Sequence, residues 1–117
     1  MRRGRRASAM GLHKRDAEIL ERFRTLLQTR GVRVKRVIVY GSRARGDNDP
    51  DSDLDVLVEV AEADSAVRRA VLDCAWEAGY DDCVVVAPTL FTTEEIERGP
   101  ESESVFVQSV LREGVAV

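Results

Sequence analysis

Little in this sequence supports covalent cross-linking, membrane insertion or extended disorder. Only two cysteines occur in 117 residues, Cys74 and Cys83. That is too few for a disulfide framework or a metal knuckle, so both read as small buried hydrophobes. No apolar run approaches the ~20 residues of a membrane-spanning helix. The basic start, residues 1–10, lacks the apolar stretch of a secretory signal. There is one histidine, His13, expected on an exposed first helical turn. Aromatics make up only 5% of the chain, and of these Trp76 and Tyr80 are expected to close a helix over the core edge. No internal repeat and no low-complexity linker is visible.

What is present suits one domain, and two full catalytic domains do not fit the length. Hydrophobic residues are 44% of the chain and recur with clear periodicity, which argues against disorder despite a 33% charged fraction. A chain of this size buries roughly two-thirds of its unfolded surface. The expectation is a one-domain protein of the cytoplasm.

The net charge of -3 hides an asymmetry. Residues 1–46 carry fourteen Lys/Arg and three Asp/Glu, whereas residues 47–117 carry four and eighteen. A basic half suits polyanions such as nucleotide phosphate or nucleic acid, and an acidic half suits divalent metal or a basic partner. Interleaving of the two halves in the fold would instead neutralise both.

Residues 1–11 read as a basic arm, more a solvated tail than a nucleic-acid contact. Residues 12–117 read as the domain. Ile19, Leu20, Phe23, Leu26 and Leu27 make one helical stripe within residues 12–30, closed by Gly31. Residues 34–40 (VKRVIVY) and 54–60 (LDVLVEV) read as strands, antiparallel because the link is short. A helix is expected from a cap at Asp64 or Ser65 to Ala78, ended by Gly79. Its buried face holds Val67, Ala70, Val71, Cys74, Ala75 and Ala78. A third strand is expected at residues 83–87. Thr92 and Glu95 have capping-box spacing for a short helix. A last helix is expected over 102–113 with Phe106, Val107, Val110 and Leu111 inward, then a short edge strand at 115–117. This order predicts an α/β (α+β) fold, a small mixed β-sheet flanked by helices.

The stretch GSRARGDNDPDSDLDVLV, residues 41–58, carries the chemistry. Gly41 permits a sharp turn and close approach of a phosphate, and Ser42 adds a hydroxyl and an N–H. The spacing Gly41–Gly46 superficially matches a Walker A loop, but Asp47-Asn48 stands where Lys-Ser/Thr is required, which excludes that motif. Arg43 and Arg45 can pair with phosphate oxygens bidentately. Asp53 and Asp55 lie two apart on a strand, hence on one face, two rises of ~3.3 Å along it. Two carboxylates beside a phosphate turn suit Mg²⁺, a hard cation that bridges carboxylates and substrate phosphates.

GSRARG followed by SDLDVLV resembles the minimal nucleotidyltransferase group of the DNA polymerase β superfamily. The resemblance implies a polymerase β-like fold and transfer of a nucleotidyl group from an NTP to an acceptor hydroxyl, with release of pyrophosphate. It implies that Gly41 and Ser42 hold the triphosphate and that Asp53 and Asp55 ligate Mg²⁺, with Arg43 and Arg45 steadying phosphates. The group usually has a third carboxylate on a neighbouring strand. The expected strand is valine in its middle, with Asp81 and Asp82 at its start; Asp82 is the candidate third ligand, and if neither reaches the site, one metal is weakly held and turnover is slow or absent.

Three functions follow from the resemblance. The first is a Mg²⁺-dependent transferase moving AMP from ATP to a hydroxyl on a partner protein. Small relatives of this kind pair with a helical HEPN protein as a toxin–antitoxin couple. The second is a binding module that masks a partner without efficient catalysis. The third is an antibiotic-type, small-molecule nucleotidyltransferase, which would need a homo-oligomer to complete its acceptor pocket. A nucleic-acid polymerising role is not expected without a template-holding domain.

Overall fold

In the computed structural model, residues 12–46 and 51–117 are described. The N-terminal arm expected at residues 1–11 lies outside them. The chain runs α1 (Lys14–Thr29), β1 (Val34–Tyr40), α2 (Ser42–Arg45), β2 (Leu54–Val60), α3 (Ser65–Tyr80) and β3 (Val86–Thr92). It continues through α4 (Thr93–Arg98), a 3-10 turn (Pro100–Glu103), α5 (Val105–Glu113) and β4 (Val115–Ala116). The strands form one sheet in the order β3-β2-β1-β4. β1 pairs antiparallel with β2 and β4, while β2 and β3 are parallel, joined by the α3 crossover. This is the α+β architecture that the element order predicts.

The apolar stripe of α1 and the small-residue face of α3 pack on one side of the sheet. Ile19, Leu20, Phe23 and Leu27 meet Val37, Val39, Leu54, Val56, Val58 and Val60 there, all fully buried. Cys74, Ala75 and Ala78 of α3 complete this core. On the other side Ile96 of α4 and Val107 and Val110 of α5 cover Ile38 and Leu57. That second layer is smaller, and it leaves one end of the sheet open. No helix among the described residues is long and apolar enough to cross a membrane.

Local signals set the helix starts. Asp64 caps α3 through the N–H of Val67 at 2.9 Å. Thr92 and Glu95 form the reciprocal capping box of α4, and Ser104 caps α5. A cap of this kind stabilises a helix by about 0.5–2 kcal/mol.

Several expectations are corrected. Gly79 does not end α3. It lies inside the last turn, where the Val84 carbonyl packs so closely that a Cβ would overlap it. The third strand is Val86–Thr92, three residues later than expected. Asp81, Asp82 and Cys83 form a turn instead, with Cys83 at a φ of 56°. The strand runs through Pro88 because β3 is the sheet edge, where a missing N–H costs no ladder bond. The last helix starts at Val105, after the 3-10 turn. Trp76 and Tyr80 do not cover the core. With Leu72 they form a solvent-facing stripe at i, i+4, i+8, with Trp76 67% exposed. Phe106 and Leu111 are only partly covered and Cys83 is exposed, whereas Cys74 is buried as expected.

Candidate active site

Strand alternation places the acids. Leu54, Val56, Val58 and Val60 of β2 point into the α1/α3 core. Asp53, Asp55 and Leu57 therefore belong to the opposite face, the one α5 only partly covers. In the sheet register Asp55 lies between Tyr40 of β1 and Ala87 of β3. Tyr40 is held over this face by its hydroxyl, 3.3 Å from Thr89 Oγ1.

The glycine bend lies against the acids. Gly41 ends β1 with a φ of 81°, a conformation that favours glycine. It also abuts the carboxylate: a Cβ here would come within 3.3 Å of Asp55 Oδ2. Ser42 and Arg43 then open α2, ahead of its first backbone bond from Ala44 to Gly41.

The pair is electrostatically strained. Burial pushes the Asp55 carboxyl above its ordinary range, and the negative charge of Asp53 pushes it further. Two hard oxygen donors on one face, one held at a cost by desolvation and like charge, form a donor set that a divalent cation relieves. Asp53 and Asp55 thus fit a hard divalent cation such as Mg²⁺.

Arg43 points elsewhere than the sequence suggests. It is only 2% exposed, and its guanidinium faces inward. Nη1 donates to Asp16 Oδ1 at 2.8 Å, while Nε and Nη2 both donate to the Ser52 carbonyl, at 3.0 and 2.7 Å. The expected phosphate contact is thus replaced by a clamp that ties the first turn of α1 to the residue before Asp53. Asp16 itself is visible in the sequence as a carboxylate in phase with the Ile19, Leu20, Phe23 stripe, an unusual core position for a charge. Arg45, by contrast, is exposed beside the turn.

Residues 17–115 match the family model of the nucleotidyltransferase domain. The chain belongs to the nucleotidyltransferase domain family. No curated protein and no solved structure matches it significantly. Membership agrees with the resemblance carried by residues 41–58, and it makes a nucleotide the substrate of this nucleotidyltransferase domain.

Asp82 does not join the pair in a three-acid site. It sits in the turn before β3, where its Oδ2 lies 3.4 Å from Arg22 Nη1 of α1. Among the described residues no group of three or more His, Cys, Asp or Glu has metal-holding geometry. The shifted register of β3 explains this. The position directly beside Asp55 on the neighbouring strand is Ala87, which carries no carboxylate.

Proposed function

We propose that this nucleotidyltransferase domain transfers AMP from ATP to a hydroxyl of a partner protein in the cytoplasm. The acceptor oxygen bonds to the α-phosphorus, the bond from that phosphorus to the pyrophosphate oxygen breaks, and the hydroxyl proton passes to solvent. The juxtaposition of Asp53 and Asp55 with the Gly41 bend carries this reading. Gly41 and Ser42 would receive the triphosphate and Arg45 would face its outer oxygens. Asp53 and Asp55 would hold Mg²⁺, which when bound neutralises phosphate charge and acidifies the attacking hydroxyl. Arg43 serves as a positioning residue through the Ser52 carbonyl.

The acceptor is best supplied by a second protein, of the small helical HEPN type that the resemblance implies, in an antitoxin-like role. The exposed Leu72, Trp76 and Tyr80 stripe supports this reading, since aromatic residues dominate interface energetics.

A second reading is favoured by Ala87: with two acids where three are usual, the domain would mask its partner with little turnover. Incubation of the full chain and its co-purifying partner with α-³²P-ATP and Mg²⁺ separates the two. Label on the partner that disappears with Asp53→Ala supports transfer. An intact complex that takes no label supports masking.

A further inference from the structure

We propose that the groove between α1 and the β1/β4 edge of the sheet docks an extended segment of a partner protein, one that carries a carboxylate for Arg24. The inference stands apart from the nucleotidyl-transfer reading.

The groove holds about 1110 Å³, more than the ~300–1,000 Å³ of small-molecule pockets. Its α1 wall runs from Lys14 to Gln28, roughly 21 Å at ~1.5 Å per residue. That length matches about six extended residues at ~3.3 Å each. Leu12, Val32, Val34 and Val117 give it apolar surface.

The opposite wall is the rim of the sheet. β4 pairs with β1 only at Ile38 and Val39, and the Val117 N–H reaches the Val37 carbonyl. Among the described residues no strand lies outside β4, or beside residues 34–36 on that side. Such an edge offers backbone donors and acceptors to an added strand. A lipid chain in the same groove would leave them unused.

Arg24 supplies the charge. Its Nη1 is buried and donates to nothing. Glu18 and Glu21 share the lining, yet neither accepts from it. Lys14 and Arg33 also line the groove, and among the described residues no ion pair holds either. A charged donor buried without an acceptor is costly, and a carboxylate laid in the groove satisfies it. The basic start of this chain has no such group: residues 1–11 contain four arginines and no acid. The acid is therefore assigned to another protein.

NMR titration of the ¹⁵N-labelled full chain tests this with three probes. The first is a blocked hexapeptide of alternating valine and threonine with one central glutamate. The second has lysine in place of that glutamate, and the third is laurate, an apolar carboxylate without a peptide backbone. The glutamate peptide should shift the amides of Val34, Lys35 and Ala116 and the Arg24 guanidinium. It should bind about tenfold tighter than the lysine peptide. Arg24→Met keeps the stem but deletes the orphaned donor, so it should erase that preference and raise the melting temperature. Ala17→Trp, at an exposed position of the lining, should block both peptides with Arg24 intact. Equal or absent binding of the two peptides, shifts lying outside the groove, or a melting temperature lowered by Arg24→Met would overturn the proposal. Laurate binding tighter than the glutamate peptide would overturn it in favour of a lipid ligand.

Discussion

The two faces of this sheet divide its labour. On the α1/α3 side every β2 residue is a fully buried leucine or valine, and the layer is closed. On the α4/α5 side Asp53, just ahead of that strand, and Asp55, Leu57 and Glu59 within it share the other face, and the layer stops short of Asp53 and Asp55. Period-two alternation lets eight consecutive residues, 53–60, serve both purposes. Stability is concentrated where the surface is apolar and continuous. The candidate site lies where Asp53 and Asp55 are left uncovered.

The largest separation between the faces should come from the acids. Asp53→Ala is expected to lower nucleotidyl transfer about 10²–10³-fold, the scale of losing one electrostatic stabiliser, with circular dichroism unchanged. The converse substitution lies in the closed layer. Phe23→Ala should cost about 3–5 kcal/mol in urea unfolding, since the ring is fully buried and leaves a cavity.

Arg43→Met joins the two faces. It strands Asp16 as a buried unpaired charge, and a loss of about 3–5 kcal/mol is expected. In Asp16→Leu/Arg43→Met both charges are gone, and much of that loss should be recovered. Cation affinity should not recover, because the Ser52 carbonyl still lacks its donor. Recovery of both in equilibrium unfolding and Mn²⁺ titration would show that the clamp acts on folding alone.

Ala87→Asp places a third acid beside Asp55. Mn²⁺ should bind severalfold tighter above the carboxylate range, and apo stability should fall through added like-charge repulsion.

The smallest effect concerns protons. The native state holds the Asp55 proton more tightly than the unfolded chain does, so apo stability declines as pH rises from the ordinary 3.8 through the raised native value. Asp55→Asn should flatten that decline in thermal melts and stabilise the apo protein at neutral pH while removing cation binding.

How much of this the sequence reveals depends on where the determining contacts lie. β1 and β2 are legible to the residue because β-branched runs are bounded by Gly41 and by the Asp-Ser turn. The positions of Asp53 and Asp55 follow from alternation alone. β3 is misread because Pro88 signals a break unless the strand is known to be an edge, and edge position is a property of the whole sheet. That offset conceals Ala87 as the neighbour of Asp55. The inward turn of Arg43 depends on Asp16, a partner in another helix, and no local pattern connects the two.

The Arg43 guanidinium fastens the opening turn of the N-terminal helix to the peptide just ahead of the first acid. Fraying of that turn releases the fastening while the apolar layer beneath still stands. Under gentle denaturation, enzymatic competence should vanish before the chain unravels, so heat inactivation and melting would trace two separate curves.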